Sequence, residues 1–380
     1  MTEAPPVAVY LHWPYCARIC PYCDFNVVRD RGRAGEQAGL VAAMEADLRT
    51  QAALIGSRRL VSIFFGGGTP SLMPPEAAGR LIETARALFP TTAPVEVTLE
   101  ANPTDAETAR YRAFAEAGVN RLSLGVQSLD DEALRFLGRD HDAGSARRAI
   151  EAAQAAFGRV SIDLIYARPG QTAEAWRAEL AEAVALGPEH VSPYQLTIEA
   201  ETAFGRAHRR GTLIPPGEDD QESLYDITQE VLEGAGLPAY EVSNHARGEA
   251  ARSAHNLAVW RGVEYLGVGP GAPGRLNLQG ARTATAAHRR IADYAAAVNT
   301  AGVGFAETDP LSPQEAAEER LMLGLRTVEG ANLTALEPLD LDARVASLTD
   351  DGLLNLSGDR LCATPRGRKV LDGVIRALLV

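Results

Sequence analysis

Six short apolar runs, each followed by an amphipathic helical pattern, restrict this chain more than any other feature. The runs are "VYLHW" from Val9, "SIFFGG" from Ser62, "VEVTLEA" from Val95, "RLSLGV" from Arg121, "VSIDLIY" from Val160 and "HVSPYQLT" from His190. Between them apolar residues recur at helical spacing, as in Leu40, Met44 and Leu48 or Leu81, Ala85 and Leu88, which keeps one helix face apolar. Strand then helix, repeated about six times, predicts an α/β protein built as a parallel barrel or open barrel. Chemistry in such folds sits on loops at the C-terminal ends of the strands. The polar and flexible positions obey that rule: three cysteines follow the first run, "GGGTPS" follows the second, Glu100 ends the third, Gln127 ends the fourth and Asp163 lies in the fifth.

With 380 residues and 46% hydrophobic composition, the chain is long enough for one large domain and a small one. The pattern breaks near "TDPLSPQEAAEER", and a hairpin plus terminal helix follow in "GLLNLSGDRLCATPRGRKVLDGVIRALL". Residues 1–305 are expected to form the barrel with its extension, and residues 306–380 a small winged-helix-like α+β domain. The tail's positive charges (Arg360, Arg366, Arg368, Lys369, Arg376) are scattered, so it is expected to pack on the barrel. A formal charge of −13 argues against a nucleic-acid partner, which needs clustered Lys and Arg. No run of about 18 apolar residues and no basic, apolar leader is present, so no integral membrane segment and a cytoplasmic location are expected.

The stretch "YCARICPYCDF" sets Cys16, Cys20 and Cys23 in a C-x3-C-x2-C spacing, and the remaining cysteine, Cys362, is far away. A disulfide framework does not suit so long a chain with four cysteines. A structural zinc site closes with four ligands and would have to recruit His12. A redox thiol pair usually reads C-x-x-C without a third partner. A 4Fe-4S cluster on three thiolates leaves one iron open to a small molecule. The three glycines of "FFGGGTPS" let backbone approach a ligand closely, and no Lys-Ser or Lys-Thr follows to make them a phosphate loop. "GVGPGA" from Gly267 lacks the context of a dinucleotide site.

Taken in order, the C-x3-C-x2-C stretch, "GGGTPS", "TLEANP" and "LSLGVQS" resemble the radical S-adenosylmethionine superfamily. The resemblance covers nearly the whole chain and implies a partial (β/α)6 barrel of radical SAM type. It lies within the branch that contains oxygen-independent coproporphyrinogen III oxidase and the HemW haem chaperones. It implies that Cys16, Cys20 and Cys23 hold a 4Fe-4S cluster whose fourth iron is chelated by S-adenosylmethionine. Tyr10, Tyr22, Gly67, Gly68, Thr69, Glu100, Gln127, Arg139 and Asp163 match cofactor-binding positions. Residue chemistry agrees, since carboxylates suit ribose hydroxyls and Arg suits a carboxylate. The plainer roles for Arg139 and Asp163 are a surface ion pair and a strand-end cap.

Phe25 stands where the oxidase carries a further cysteine, and only fifteen residues precede Cys16. Both departures point to the HemW-like group, which is implied to bind haem and pass it to an acceptor protein. That group's H-N-x-x-Y-W pattern is represented by His255, Asn256 and Trp260, with Val259 in place of tyrosine and Pro273 in place of a later histidine. His and Tyr ligate haem iron, so His255 remains a candidate ligand, with Tyr265, His245 and His288 as the others, and a satisfied buried pair is the plainer role for His255 and Trp260. An alternative is a radical enzyme acting on a porphyrin, with an electron from a flavodoxin or ferredoxin, and a third is a zinc-stabilised interaction module. Coproporphyrinogen oxidase activity is not expected, and no catalytic residue is assigned.

Overall fold

The computed structural model describes residues 4–380. All six expected strands form: β1 (Pro6–Trp13), β2 (Arg59–Gly67), β3 (Glu96–Ala101), β4 (Arg121–Gln127), β5 (Val160–Tyr166) and β6 (His190–Gln195). They pair in that order and all in parallel. The sheet runs on past both ends. Beyond β6 lie β7 (Ala239–Glu241) and β8 (Asn244–Ala246), with β8 antiparallel to both β6 and β7. Beyond β1 lies β9 (Glu264–Val268), a further parallel neighbour, then β10 (Pro273–Leu278), β11 (Ala281–Ala287) and β12 (Phe305–Pro310) in antiparallel register. The twelve strands make one sheet in the order β12-β11-β10-β9-β1-β2-β3-β4-β5-β6-β8-β7.

Strand side chains alternate between two environments, as the pleat requires. One face is apolar and packs on the helices: Val9 and Leu11, Ile63 and Phe65, Val97 and Leu99, Leu122 and Leu124, Ile162 and Leu164 all belong to the main core. Burying each such side chain stabilises by about 1.5–3 kcal/mol. The other face is largely polar. Ser62 bonds His255, Ser123 bonds Asp163, Ser161 bonds His190 and Ser192 bonds Asn244. A polar inner face leaves a barrel lumen that can take a polar ligand.

From Ser312 the chain builds its own small core around Leu321, Leu325, Leu354, Leu361, Val374 and Leu378. Ser312 and Glu315 close a capping box at the start of helix Pro313–Leu325. A hairpin (Leu354–Ser357 with Arg360–Ala363) and a terminal helix (Leu371–Leu379) follow. This segment packs on the main sheet. Glu319 accepts from Arg275 and Arg282, both at 2.5 Å, and Glu329 takes Arg261 in a two-point pair at 2.6 and 2.8 Å.

Candidate functional site

The cysteine loop leaves the C-terminal end of β1. Tyr15–Cys16 pairs with Val28–Arg29, and Asp30 N–H donates to the Cys16 carbonyl at 2.8 Å, so both ends of the loop are pinned. Inside it, Cys23 N–H closes a turn on the Cys20 carbonyl. All three thiols are free, Cys16 buried and the other two half-buried. Burial pushes the Cys16 thiol up to about 11, with Thr69 and Arg139 opposing the rise, so a thiolate there needs a bound cation beside it. At the loop's far end Asn26 donates to the carbonyls of Pro270 and Arg289.

That clamp explains "GVGPGA". A Cβ on Gly271 would lie 2.5 Å from Asn26 Nδ2, and one on Gly269 would lie 2.3 Å from the His12 carbonyl oxygen. These glycines serve close packing behind the cysteine loop. His12 is fully engaged as well: one ring nitrogen bonds the Asn26 carbonyl at 2.9 Å and the other the Tyr10 hydroxyl at 3.0 Å. It is therefore not free to complete a Cys3His zinc site. Among the described residues no three His, Cys, Asp or Glu side chains converge on a single-ion position.

The glycine loop is zipped onto the strand that leads to Cys16. Gly68 N–H donates to the Trp13 carbonyl and Thr69 N–H to that of Tyr15, at 2.7 and 2.8 Å. A Cβ on Gly66, Gly67 or Gly68 would come within 3.0 Å of Phe64, the His12 ring or the Tyr15 carbonyl oxygen, and Gly67 has φ +105°. All three glycines are needed, more than a simple strand-to-helix turn requires.

Opposite the loop stand the ends of β3, β4 and β5. Glu100 and Asp163 share the lumen. Burial first and the Asp163 charge second push the Glu100 carboxyl up to about 8, with Gly67 N–H opposing. Asp163 is raised by burial too, moderated by hydrogen bonds from Ser192, Ser123 and Ser161 and by the Arg121 charge. Gln127 holds φ +64°, a conformation that costs roughly 1–2 kcal/mol for a residue with a Cβ, and its side-chain oxygen is buried without a hydrogen-bond partner among the described residues. Arg139 is no surface ion pair. Its guanidinium donates to Cys20 Sγ at 3.3 Å, to the Gly125 carbonyl at 3.1 Å and to Asn102 Oδ1, while its Nε finds no partner among the described residues.

These groups border one cavity of about 670 Å³, within the roughly 300–1,000 Å³ usual for ligand pockets. The three cysteines, Tyr22, Gly67, Gly68, Thr69, Glu100, Gln127, Arg139, Asp163, Asn256 and Trp260 all line it. Tyr10 and His255 do not. Tyr10 is turned to His12, and the His255 ring stacks on Phe64 at 4.8 Å and bonds Ser62 at 3.0 Å. Neither Val259 nor Pro273 borders the cavity, and Phe25 stands 62% exposed at its edge. The sequence reading passed over Asn102, Arg121 and Arg326, which also line it. Asn102 follows Glu100 within "TLEANP", and Arg121 shares the inward parity of Ser123. No local signal marks Arg326.

The donor set fits the cofactors that the motifs imply. Three thiols on one short loop leave one iron of a cubane unligated, and the same wall offers unsatisfied groups in Gln127 and Arg139. The superfamily model "Radical SAM superfamily" matches residues 10–183, and "HemN C-terminal domain" matches residues 311–370. The chain is 40% identical to "Radical S-adenosyl methionine domain-containing protein 1, mitochondrial" of Bos taurus, over 98% of this chain and 87% of that protein. It is 35% identical to "Heme chaperone HemW" of Mycobacterium tuberculosis, over 98% and 95%. The solved coproporphyrinogen III oxidase (HemN) of Escherichia coli shares the fold, with a TM-score of 0.81 over 99% of this chain and 90% of that one at 22% identity. The chain belongs to the radical S-adenosylmethionine superfamily, in the HemW-like family of that superfamily.

Proposed function

We propose that this chain carries a 4Fe-4S cluster on Cys16, Cys20 and Cys23 with S-adenosylmethionine at the open iron, binds haem in the same cavity, and passes haem to an acceptor protein in the cytoplasm. The observation that carries this reading is the common wall: the cysteine loop and the segment with Asn256 and Trp260 border one cavity. When bound, the cluster supplies an electron to the sulfonium of S-adenosylmethionine, and that electron would come from a flavodoxin or ferredoxin.

The chain's own residues do the positioning. Arg139 sets a positive charge against Cys20 and so offsets the thiolates. Asp163 and Glu100 offer oxygen to ribose hydroxyls, and Glu100, neutral near pH 7, keeps two carboxylates from repelling across the lumen. The glycine loop holds the strand that leads to Cys16 in place through the Trp13 and Tyr15 carbonyls. Trp260 offers a flat apolar face to a planar ring. His255 acts through the helix Ala254–Trp260 that carries Trp260, since its N–H and that of Ala254 donate to Glu96 at 3.0 Å. No helix among the described residues is long and apolar enough to cross a membrane.

Anaerobic reconstitution followed by iron, sulfide and haem titration tests the reading, with S-adenosylmethionine present and absent. About four irons and one haem per chain are expected. Four irons without haem would overturn haem binding and favour a radical enzyme acting on a porphyrin. Its signature is 5′-deoxyadenosine formation that rises with added tetrapyrrole.

A further inference from the structure

The cavity has a second cationic wall, built by the C-terminal segment. Arg326 follows helix Pro313–Leu325 and lines the cavity with Trp260 and Asn256. Its guanidinium carbon lies 4.8 Å from the centroid of the Trp260 ring, a cation-π stack. Three hydrogen-bond donors on this side are buried without an acceptor among the described residues: Arg326 Nε, Trp260 Nε1 and Arg121 Nε. Buried donors in native proteins are nearly always satisfied, so three of them around one cavity indicate an acceptor that arrives with a ligand. The cavity's own carboxylates do not satisfy them: Asp163 acts on Arg121 through its charge, and Glu241 ion-pairs with Arg326, yet neither accepts a hydrogen bond from these three nitrogens. Glu241 Oε1 accepts from Ser243 N–H and from the Asn244 amide, and its Oε2 meets Arg326 Nη2 only at 3.5 Å.

Arg326 is also held in place. Thr327 bridges to Glu241, and Val328 N–H donates to the Tyr240 carbonyl at 3.1 Å. Upstream, the Glu319 fork on Arg275 and Arg282 anchors the same helix. The guanidinium side chain is a third exposed, 34%, so an incoming group can reach it. A planar guanidinium stacked on an indole, with further donors beside it, matches a carboxylate carried on a flat ring.

We propose that Arg326, stacked on Trp260, is the carboxylate anchor of this cavity and receives a carboxylate of a tetrapyrrole ring. This rests on the haem reading above. S-adenosylmethionine also carries a carboxylate, but the open iron beside the cysteine loop accounts for that one.

The test uses the anaerobically reconstituted full chain and two probes, haem and haem dimethyl ester, whose carboxylates are blocked. The unaltered protein should prefer free-acid haem about tenfold to a hundredfold. Arg326→Met should abolish that preference, Arg326→Lys should restore part of it, and S-adenosylmethionine affinity should stay unchanged in both. A purely structural Arg326 would lower affinity for both probes equally and leave the preference intact, which overturns the inference. A fall in S-adenosylmethionine affinity in place of haem affinity also overturns it, by reassigning the anchor to the cosubstrate. Failure of the unaltered protein to bind either probe would overturn the haem reading itself and this inference with it.

Discussion

Arg139 donates a hydrogen bond to Cys20 Sγ across 3.3 Å, tying the middle cysteine of the loop to a residue 119 positions later in the chain. The same guanidinium bonds Asn102 and the Gly125 carbonyl, so one side chain joins the cysteine loop to the ends of β3 and β4. Arg139→Met removes that charge without much loss of length. A hydrogen bond to a charged group contributes about 1.5–3 kcal/mol. We expect S-adenosylmethionine affinity to fall roughly tenfold or more, and cluster absorbance to bleach faster in air. Equal affinity and equal lifetime would show that the thiolates need no positive partner.

The glycine loop yields a sharper test. Gly67→Ala puts a methyl group 2.5 Å from the His12 ring and forces a side chain onto φ +105°. His12 cannot swing aside without losing both of its hydrogen bonds. Backbone strain of this kind costs about 1–3 kcal/mol. The variant should melt several degrees lower and hold less iron after reconstitution, whereas Gly158→Ala, at a glycine with open space around its Cβ position, should do neither. Matching melting curves for the two variants would refute the packing argument.

Glu100 gives a pH dependence. Its carboxyl is raised to about 8 in the folded chain from an ordinary value of 4.5. Between those limits the native state holds a proton that the unfolded state has released. The stability associated with Glu100 is therefore complete below about pH 4.5 and is lost progressively as pH rises to about 8. Glu100→Gln should flatten this slope, so that in cosubstrate-free protein the variant gains on the unaltered chain by a few kcal/mol between pH 5.5 and 8.5. Urea midpoints at the two pH values measure it, and parallel slopes would place the ionisation elsewhere.

Much of this site was legible because its residues follow strands. Cysteines after β1, glycines after β2 and acids in β3 and β5 occupy the rim that a parallel barrel reserves for chemistry. The inner polar face was not read, although the alternation of Arg121 with Ser123 and of Ser161 with Asp163 carries it. The neighbours of β1 were not legible. Periodicity identifies a strand but not its partner, so nothing in "EYLGV" indicates that β9 lies parallel to a strand more than 250 residues away. Arg326 was hidden for the same reason: its place depends on Glu319 finding Arg275 and Arg282, a tertiary event without a local pattern. The purpose of "GVGPGA" likewise became readable only with Asn26 and the His12 carbonyl beside it.

His255 and Trp260 share one short helix but face different surroundings. Trp260 borders the cavity, whereas His255 is 6% exposed, stacked on Phe64 and bonded to Ser62. Trp260→Leu should therefore weaken haem binding about tenfold, the loss of one aromatic stack and its neighbouring cation, with the cluster intact. His255→Asn should leave haem affinity within about threefold and change acid stability instead. Burial pushes the imidazole down to about 4, Glu96 opposing and Arg121 reinforcing. The native ring stays neutral while the unfolded one protonates near 6.5, so stability is lost as pH falls from about 6.5 to about 4. Replacing His255 removes that component, and the gap between variant and unaltered protein should narrow as pH falls through this window. Loss of the haem spectrum in His255→Asn with no change in the acid profile would mean that the ring leaves Ser62 to ligate the iron.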